Sequence, residues 1–411
     1  MNLGSLCKIA VCSLVIAACD DNDSSDVIPP APTGGGDTGD VTPQPNPVET
    51  GFRVTPLVTN ATDSDLVNPW GLVGSEGVFW IADNATGKVS TYDGDGRQSA
   101  EYPRGRFAPG EGITGVARME DEDEGEEEGA SDEFLVPCGG DPLPAEFVFA
   151  SEDGFLIAIN DETPVEGVKV VDRSATGAVY LGVAKLDRDD GPVLLAADFV
   201  HGRIDTFDDR FKLVHASNAF VDPQMPAGFG PFNVMVDDDL VYVMYAKIGE
   251  DGDEEKGPGL GAVTIFDAQG NLMNRIKSDL FNAPWGMAIA DAGSKMASTS
   301  ARATLMIGNF GDGHITRFDA DTLAPIDQLV DGAGSAIALE GLWGIAMGSD
   351  DAGDPNALYF AQGPEDETAG VFGRIDANGS TAKRAKPMSL EGSQKRERRT
   401  FEGHQGAITD L

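Results

Sequence analysis

The sequence predicts an all-β fold, a six-bladed β-propeller, and three observations carry that expectation. One three-part apolar pattern recurs six times, in order, between residues 68 and 376. Its segments are short and rich in Val, Ile and aromatic side chains, with glycine and aspartate between them, as antiparallel strands joined by tight turns require. An apolar segment, FRVTPLV (52–58), precedes the first copy and has no blade of its own.

The copies follow one another along the chain. The first reads NPWGLV (68–73), VFWIAD (78–83) and KVSTYD (88–93). The second has GITGVA (112–117), FVFASED (147–153) and FLIAIN (155–160), and the third YLGVAKL (180–186), VLLAAD (193–198) and GRIDTFD (202–208). The fourth has PFNVMV (231–236), LVYVMYA (240–246) and GAVTIFD (261–267). APWGMAI (283–289), TLMIGNF (304–310) and GHITRFD (313–319) make the fifth; GLWGIAM (341–347), ALYFAQG (357–363) and VFGRID (371–376) make the sixth. Four-stranded units repeating every ~40–50 residues are the mark of a propeller. Outer fourth strands are expected at RQSAEYP (97–103) and KLVHASN (212–218). The last copy lacks one, so FRVTPLV is expected to complete the sixth blade and close the ring over residues 51–378, leaving no exposed sheet edge there. Two insertions interrupt the pattern: 119–145, with the acidic run EDEDEGEEEG, and KIGEDGDEEKGPGL (247–260).

The ends point to export. The apolar run IAVCSLVIAA (9–18) is too short to span a bilayer and reads as the core of a signal peptide, residues 1–18. Ile16-Ala17-Ala18-Cys19 resembles the bacterial lipobox, which implies cleavage before Cys19 and acylation of that cysteine. More than one acyl chain on a single cysteine gives stable anchoring. Residues 19–50 have almost no large apolar side chains and are expected to be a disordered tether; the basic tail, 379–411, is expected to be disordered too. The resulting expectation is an exported protein, lipid-anchored on the periplasmic or cell-surface side, and monomeric.

Composition excludes several functions. With 69 acidic against 29 basic residues the net charge is −40. Such a surface repels nucleic acid and anionic lipid. Cys7 and Cys12 leave with the signal and Cys19 is lipidated, so Cys138 has no partner for a disulfide. Four histidines leave little material for a zinc site.

Several motifs together resemble an uncharacterised bacterial family of exported propellers, similar to NHL-repeat proteins, some of which carry a PEP-CTERM sorting signal. They are the NPWG and APWG openings, SEDG (151–154), AADFVHGRIDTFD (196–208), IGNFGDGHI (307–315) and DPNALYFAQGPEDETAGVFGRI (354–375). The resemblance spans about residues 52–376. It implies the fold and assigns no activity. The chain departs from those members at its end, where a lipobox replaces the sorting signal.

In a propeller, the connections leading into the inner strands and the turns between second and third strands share one face, the mouth of the central channel. Asn68, Trp70, Glu111, Asn233, Asn282, Trp285, Glu340 and Trp343 fall on the former positions; Asp83, Asn84, Glu152, Asp153, Asp198, His201, Asn309 and Asp312 fall on the latter. Indoles there would suit a sugar, a cation or an apolar ligand. Carboxylates and amides, with Glu111, Glu340, Asp83 and Asp198 as candidate ligands, would suit Ca²⁺. The alternative is structural: Asp and Asn before glycine are ordinary turn residues, and the tryptophans can pack blade on blade. The expected function is a membrane-anchored module binding a protein, glycan or small ligand at the mouth. A divalent-metal hydrolase or lactonase, similar to gluconolactonase in gathering Glu, Asn and Asp around one ion, is the alternative.

Overall fold

The computed structural model describes residues 51–103, 106–119, 134–137, 140–214, 219–298, 301–349 and 352–378. The expectations on the signal, Cys19, the tether, Cys138, most of the acidic run and the basic tail lie outside the described residues.

FRVTPLV forms β1 (Phe52–Thr59). Blade one follows as β2 (Pro69–Ser75), β3 (Val78–Asp83) and β4 (Lys88–Tyr92). Blade two holds β5 (Ile113–Arg118), a small hairpin of β6 (Leu135–Val136) and β7 (Leu143–Pro144), then β8 (Phe147–Ser151), β9 (Phe155–Ile159) and β10 (Val168–Asp172). Blade three is β11 (Tyr180–Leu186), β12 (Val193–Asp198), β13 (Arg203–Phe207) and β14 (Leu213–Val214). Blade four is β15 (Phe229–Asp237), β16 (Leu240–Ile248), β17 (Glu254–Glu255), β18 (Gly261–Asp267) and β19 (Leu272–Ile276). Blade five is β20 (Pro284–Ala290), β21 (Thr304–Asn309), β22 (Ile315–Asp319) and β23 (Pro325–Gln328). Blade six is β24 (Leu342–Met347), β25 (Ala357–Gln362) and β26 (Val371–Ala377), and its outermost strand is β1.

The first strand therefore closes the ring as its lack of a blade predicts. β1 runs antiparallel to β26, from Phe52 opposite Ala377 to Thr59 opposite Val371, with an irregularity between Pro56 and Val58. A proline, which has no N–H to give a ladder, is tolerated on such an outer strand. The inner strands β2, β5, β11, β15, β20 and β24 touch in a complete cycle.

Burial follows the ring. Alternate side chains of each blade face its two neighbours, so among the described residues every blade-to-blade interface has its own apolar cluster. Trp80 and Phe149 lie between blades one and two, Tyr180 and Val148 between two and three, and Val234 and Leu195 between three and four. Met244 and Ile307 fill the next interface, Met306 and Phe360 the one after, and Phe79 and Tyr359 the last.

The repeated glycine lets the inner strands approach. A Cβ on Gly71 would lie 2.7 Å from the carbonyl of Thr114, and one on Gly182 would lie 2.0 Å from Asn233 Oδ1. In blade four Asn233 stands where the other blades have glycine. Its Nδ2 donates to the Trp285 carbonyl at 2.9 Å, and its Oδ1 accepts from the Val234 N–H at 2.8 Å.

Two outer strands differ from expectation. In 97–103 only Gln98 pairs, through a single bridge to Tyr92. The reason is Tyr102, which turns inward to pack at 4.6 Å on Trp80 rather than leaving the chain free to extend. In blade three the outer strand is only Leu213–Val214, and 215–218 lie outside the described residues.

Candidate functional site

The residue just before each repeated glycine, or before Asn233 in blade four, stands at the start of an inner strand. These residues are Trp70, Thr114, Leu181, Phe232, Trp285 and Trp343. All but Thr114 join Phe199 and Phe310 in one buried cluster. Trp343 stacks on Trp70 at 3.5 Å and on Phe310 at 3.9 Å, with Trp285 set edge-on to both tryptophans. Trp70, Trp285 and Trp343 are only 5%, 3% and 1% exposed. The indoles thus form a floor across the channel rather than open platforms, because at their level the inner strands, held together by glycine, leave no open space.

Above the floor lies a polar network. Asn68 has a left-handed backbone, φ 48°, which asparagine adopts more readily than most residues. Its Oδ1 accepts the Trp343 indole N–H at 3.0 Å. Its Nδ2 donates to Glu367 at 2.8 Å and to Asn84 Oδ1 at 3.3 Å. Asn84 in turn donates to Glu152 at 2.9 Å. Across the mouth, Asn282 Oδ1 accepts the N–H of Gly257 at 2.6 Å and so pins the 247–260 insertion, while β17 ties it to β16. That insertion delivers Lys256, whose ammonium sits 4.0 Å from the centroid of the Phe310 ring and 4.0 Å from Glu254.

Asn84, Glu152, Glu254, Lys256, Phe310 and Glu367 share one origin: each follows a blade's second strand and precedes its third. The mouth is strongly acidic for its burial. Burial pushes Glu254 up to about 7, with Lys256 opposing the rise and Glu367 and Asp253 adding to it. Glu367 is raised by burial against the Asn68 hydrogen bond. Glu152 is raised by burial against the Asn84 bond, with repulsion from Glu367.

The four candidate metal ligands do not converge. Asp83 is fully buried at the end of β3, accepts from Ser90 at 2.5 Å, and is raised well above the ordinary carboxylate range by burial. Asp198 is enclosed by His201 at 2.8 Å, Arg203 at 3.1 Å and the Val179 N–H at 3.3 Å. Glu340 is exposed and accepts the Glu365 N–H at 3.2 Å, and Glu111 is exposed. Among the described residues no group of three or more His, Cys, Asp or Glu could hold an ion. Among the described residues these four carboxylates therefore do not form one ion site: Asp83 and Asp198 are bonded within their own blades.

Asn68, Asn282 and the three tryptophans are brought together, with Asn233 bridging blades four and five beneath them. Glu254, Lys256 and Glu367 were not singled out in the sequence. The available signal was position: both loops lie between second and third strands.

No family model matches the chain. Two uncharacterised proteins of Acanthamoeba polyphaga mimivirus are similar to it. One is 25% identical over 359 residues, 80% of this chain and 82% of that protein. The other is 25% identical over 357 residues, 79% of this chain and 85% of that protein. Among solved structures, a Bacteroides thetaiotaomicron protein shares 12% identity at a TM-score of 0.47, covering 79% of this chain and 72% of that one. A glucose dehydrogenase shares 15% at a TM-score of 0.43, covering 79% and 99%. These likenesses bring no activity with them.

Proposed function

We propose that the protein is a binding module whose channel mouth takes a ligand bearing an ammonium group, exported and held on a membrane by an acylated Cys19. The observation that carries the reading is Lys256: its ammonium lies 4.0 Å over the Phe310 ring, with Glu254 beside it. An aromatic face and carboxylates of reduced hydration are what a cation seeks. Lys256 occupies the seat loosely, since its side chain is 50% exposed. A ligand amine, free or on a protein side chain, displaces it.

Calorimetric titration of the full chain with 1,5-diaminopentane tests this, with pentanol as the neutral control. One saturable site is expected. Lys256→Ala, which removes the competing ammonium, should tighten binding by about two- to thirtyfold, the equivalent of ~0.5–2 kcal/mol. Glu367→Gln should weaken it. Absence of saturable binding, or equal binding in both variants, rejects the reading.

A hydrolase at the same mouth is the second reading, favoured by Glu254, which titrates at about 7 where a carboxylate base works best. Turnover of simple esters or lactones that Glu254→Gln abolishes would replace the binding reading.

A further inference from the structure

The opposite end of the channel holds a cavity of about 320 Å³. It is built by the far halves of four inner strands, β2, β15, β20 and β24, downstream of Trp70, Phe232, Trp285 and Trp343. At ~3.3 Å per strand residue these positions lie well past the aromatic floor. Its volume falls at the lower end of the range for small-molecule sites, about 300–1,000 Å³.

Two features set its chemistry. Blades four and six contribute partly exposed methionines, Met235 and Met347, to a lining whose other residues are mostly aliphatic, while Met287 packs between blades four and five. Methionine is flexible and polarisable and moulds to an irregular apolar body. Among the described residues the only ionisable residues in its lining are Asp237, Asp238 and Asp291, of which Asp237 and Asp291 also have partners elsewhere. A carboxylate at the rim attracts a cation and repels an anion.

We infer that this cavity is a second ligand site, separate from the mouth, for a small hydrophobic organic cation. The apolar body lies beside Met235 and Met347 and the cationic head faces Asp238. The site does not depend on the reading of Lys256 and the mouth.

The test is calorimetric titration of the full chain with octyltrimethylammonium, whose quaternary head cannot donate hydrogen bonds, against octyl sulfate as the anionic control. A saturable site that persists in Glu367→Gln, whose mouth is a weaker ammonium seat, is expected for the cation and none for the sulfate. Ala346→Phe, which fills the cavity from β24, should weaken the cation by about tenfold or more. Asp238→Asn, on the exposed rim, should weaken it severalfold and keep the melting temperature, so that loss of binding is not loss of fold. Glu367→Gln, which weakens the mouth as an ammonium seat, should leave binding at this cavity unaltered. The inference is overturned if octyl sulfate binds as well, if the cavity variants bind like the natural chain, or if Glu367→Gln removes the cation.

Discussion

The indole of Trp343 in blade six donates to the side-chain oxygen of Asn68 in blade one across 3.0 Å. This bond joins the last and first blades at the mouth, while β1, which leads into blade one, is held in blade six by its ladder with β26. Asn68 also carries Glu367 and Asn84, so one amide sets both the ring junction and the mouth network.

Asn68→Ala should lower the stability of the folded chain by about 2–4 kcal/mol, since it leaves a buried indole N–H without its acceptor and puts alanine at a left-handed backbone. Asn68→Gly suits that backbone and should lose less. Urea unfolding of the two variants gives the comparison; an alanine variant as stable as the natural chain would remove the amide from its role.

Gly182→Ala places a methyl group against Asn233 Oδ1 and should cost about 1–3 kcal/mol through overpacking of the inner ring. Gly140, with open space around its Cβ position, is the control. Its alanine variant should shift stability by no more than about 0.5 kcal/mol. Thermal melts of both decide.

Deleting residues 51–59 strips the outer strand from blade six and exposes the β26 edge. The melting temperature should drop steeply, with aggregation on heating. A melt within a few degrees of the full chain would contradict closure by β1.

The mouth carboxylates make stability depend on pH in a definite direction. Glu254 titrates at about 7 in the fold against an ordinary 4.5. Between those values the folded chain keeps a proton that the unfolded chain has released, so stability is full below the lower value and is lost as pH rises through the upper one. Glu152 and Glu367 are raised in the same direction. Melting temperature should therefore fall from about pH 5 to pH 8, and Glu254→Gln should flatten that slope. A slope unchanged in the variant would place the proton elsewhere.

The blades were legible because their signal is local. Short apolar runs rich in Val, Ile and aromatic residues, bounded by glycine or aspartate turns, mark each strand, and FRVTPLV could only be an orphan until a ring was assumed. What the sequence hides is orientation and loop reach. Trp70, Trp285 and Trp343 read equally as platforms or packing until the ring narrows enough to bury them. Asp83 and Asp198 look like free oxygen ligands until Ser90, His201 and Arg203 are seen to bond them. Glu254 and Lys256 are held at the mouth by the pairing of β17 with β16 and by Asn282, 25 residues along the chain, which pins Gly257. The outer strand of blade one failed because Tyr102 gains more by packing on Trp80 than the chain gains by extending.

The central claim is that the mouth seats an ammonium group and that Lys256 holds the place. The direct measurement is the NMR shift of the Lys256 ε-methylene in protein carrying ¹³C-labelled lysine, assigned with Lys256→Arg. The ring of Phe310 should move that resonance upfield, and adding 1,5-diaminopentane should return it toward the value of a free lysine. A resonance at the free-lysine position from the start, unmoved by the diamine, would contradict the account.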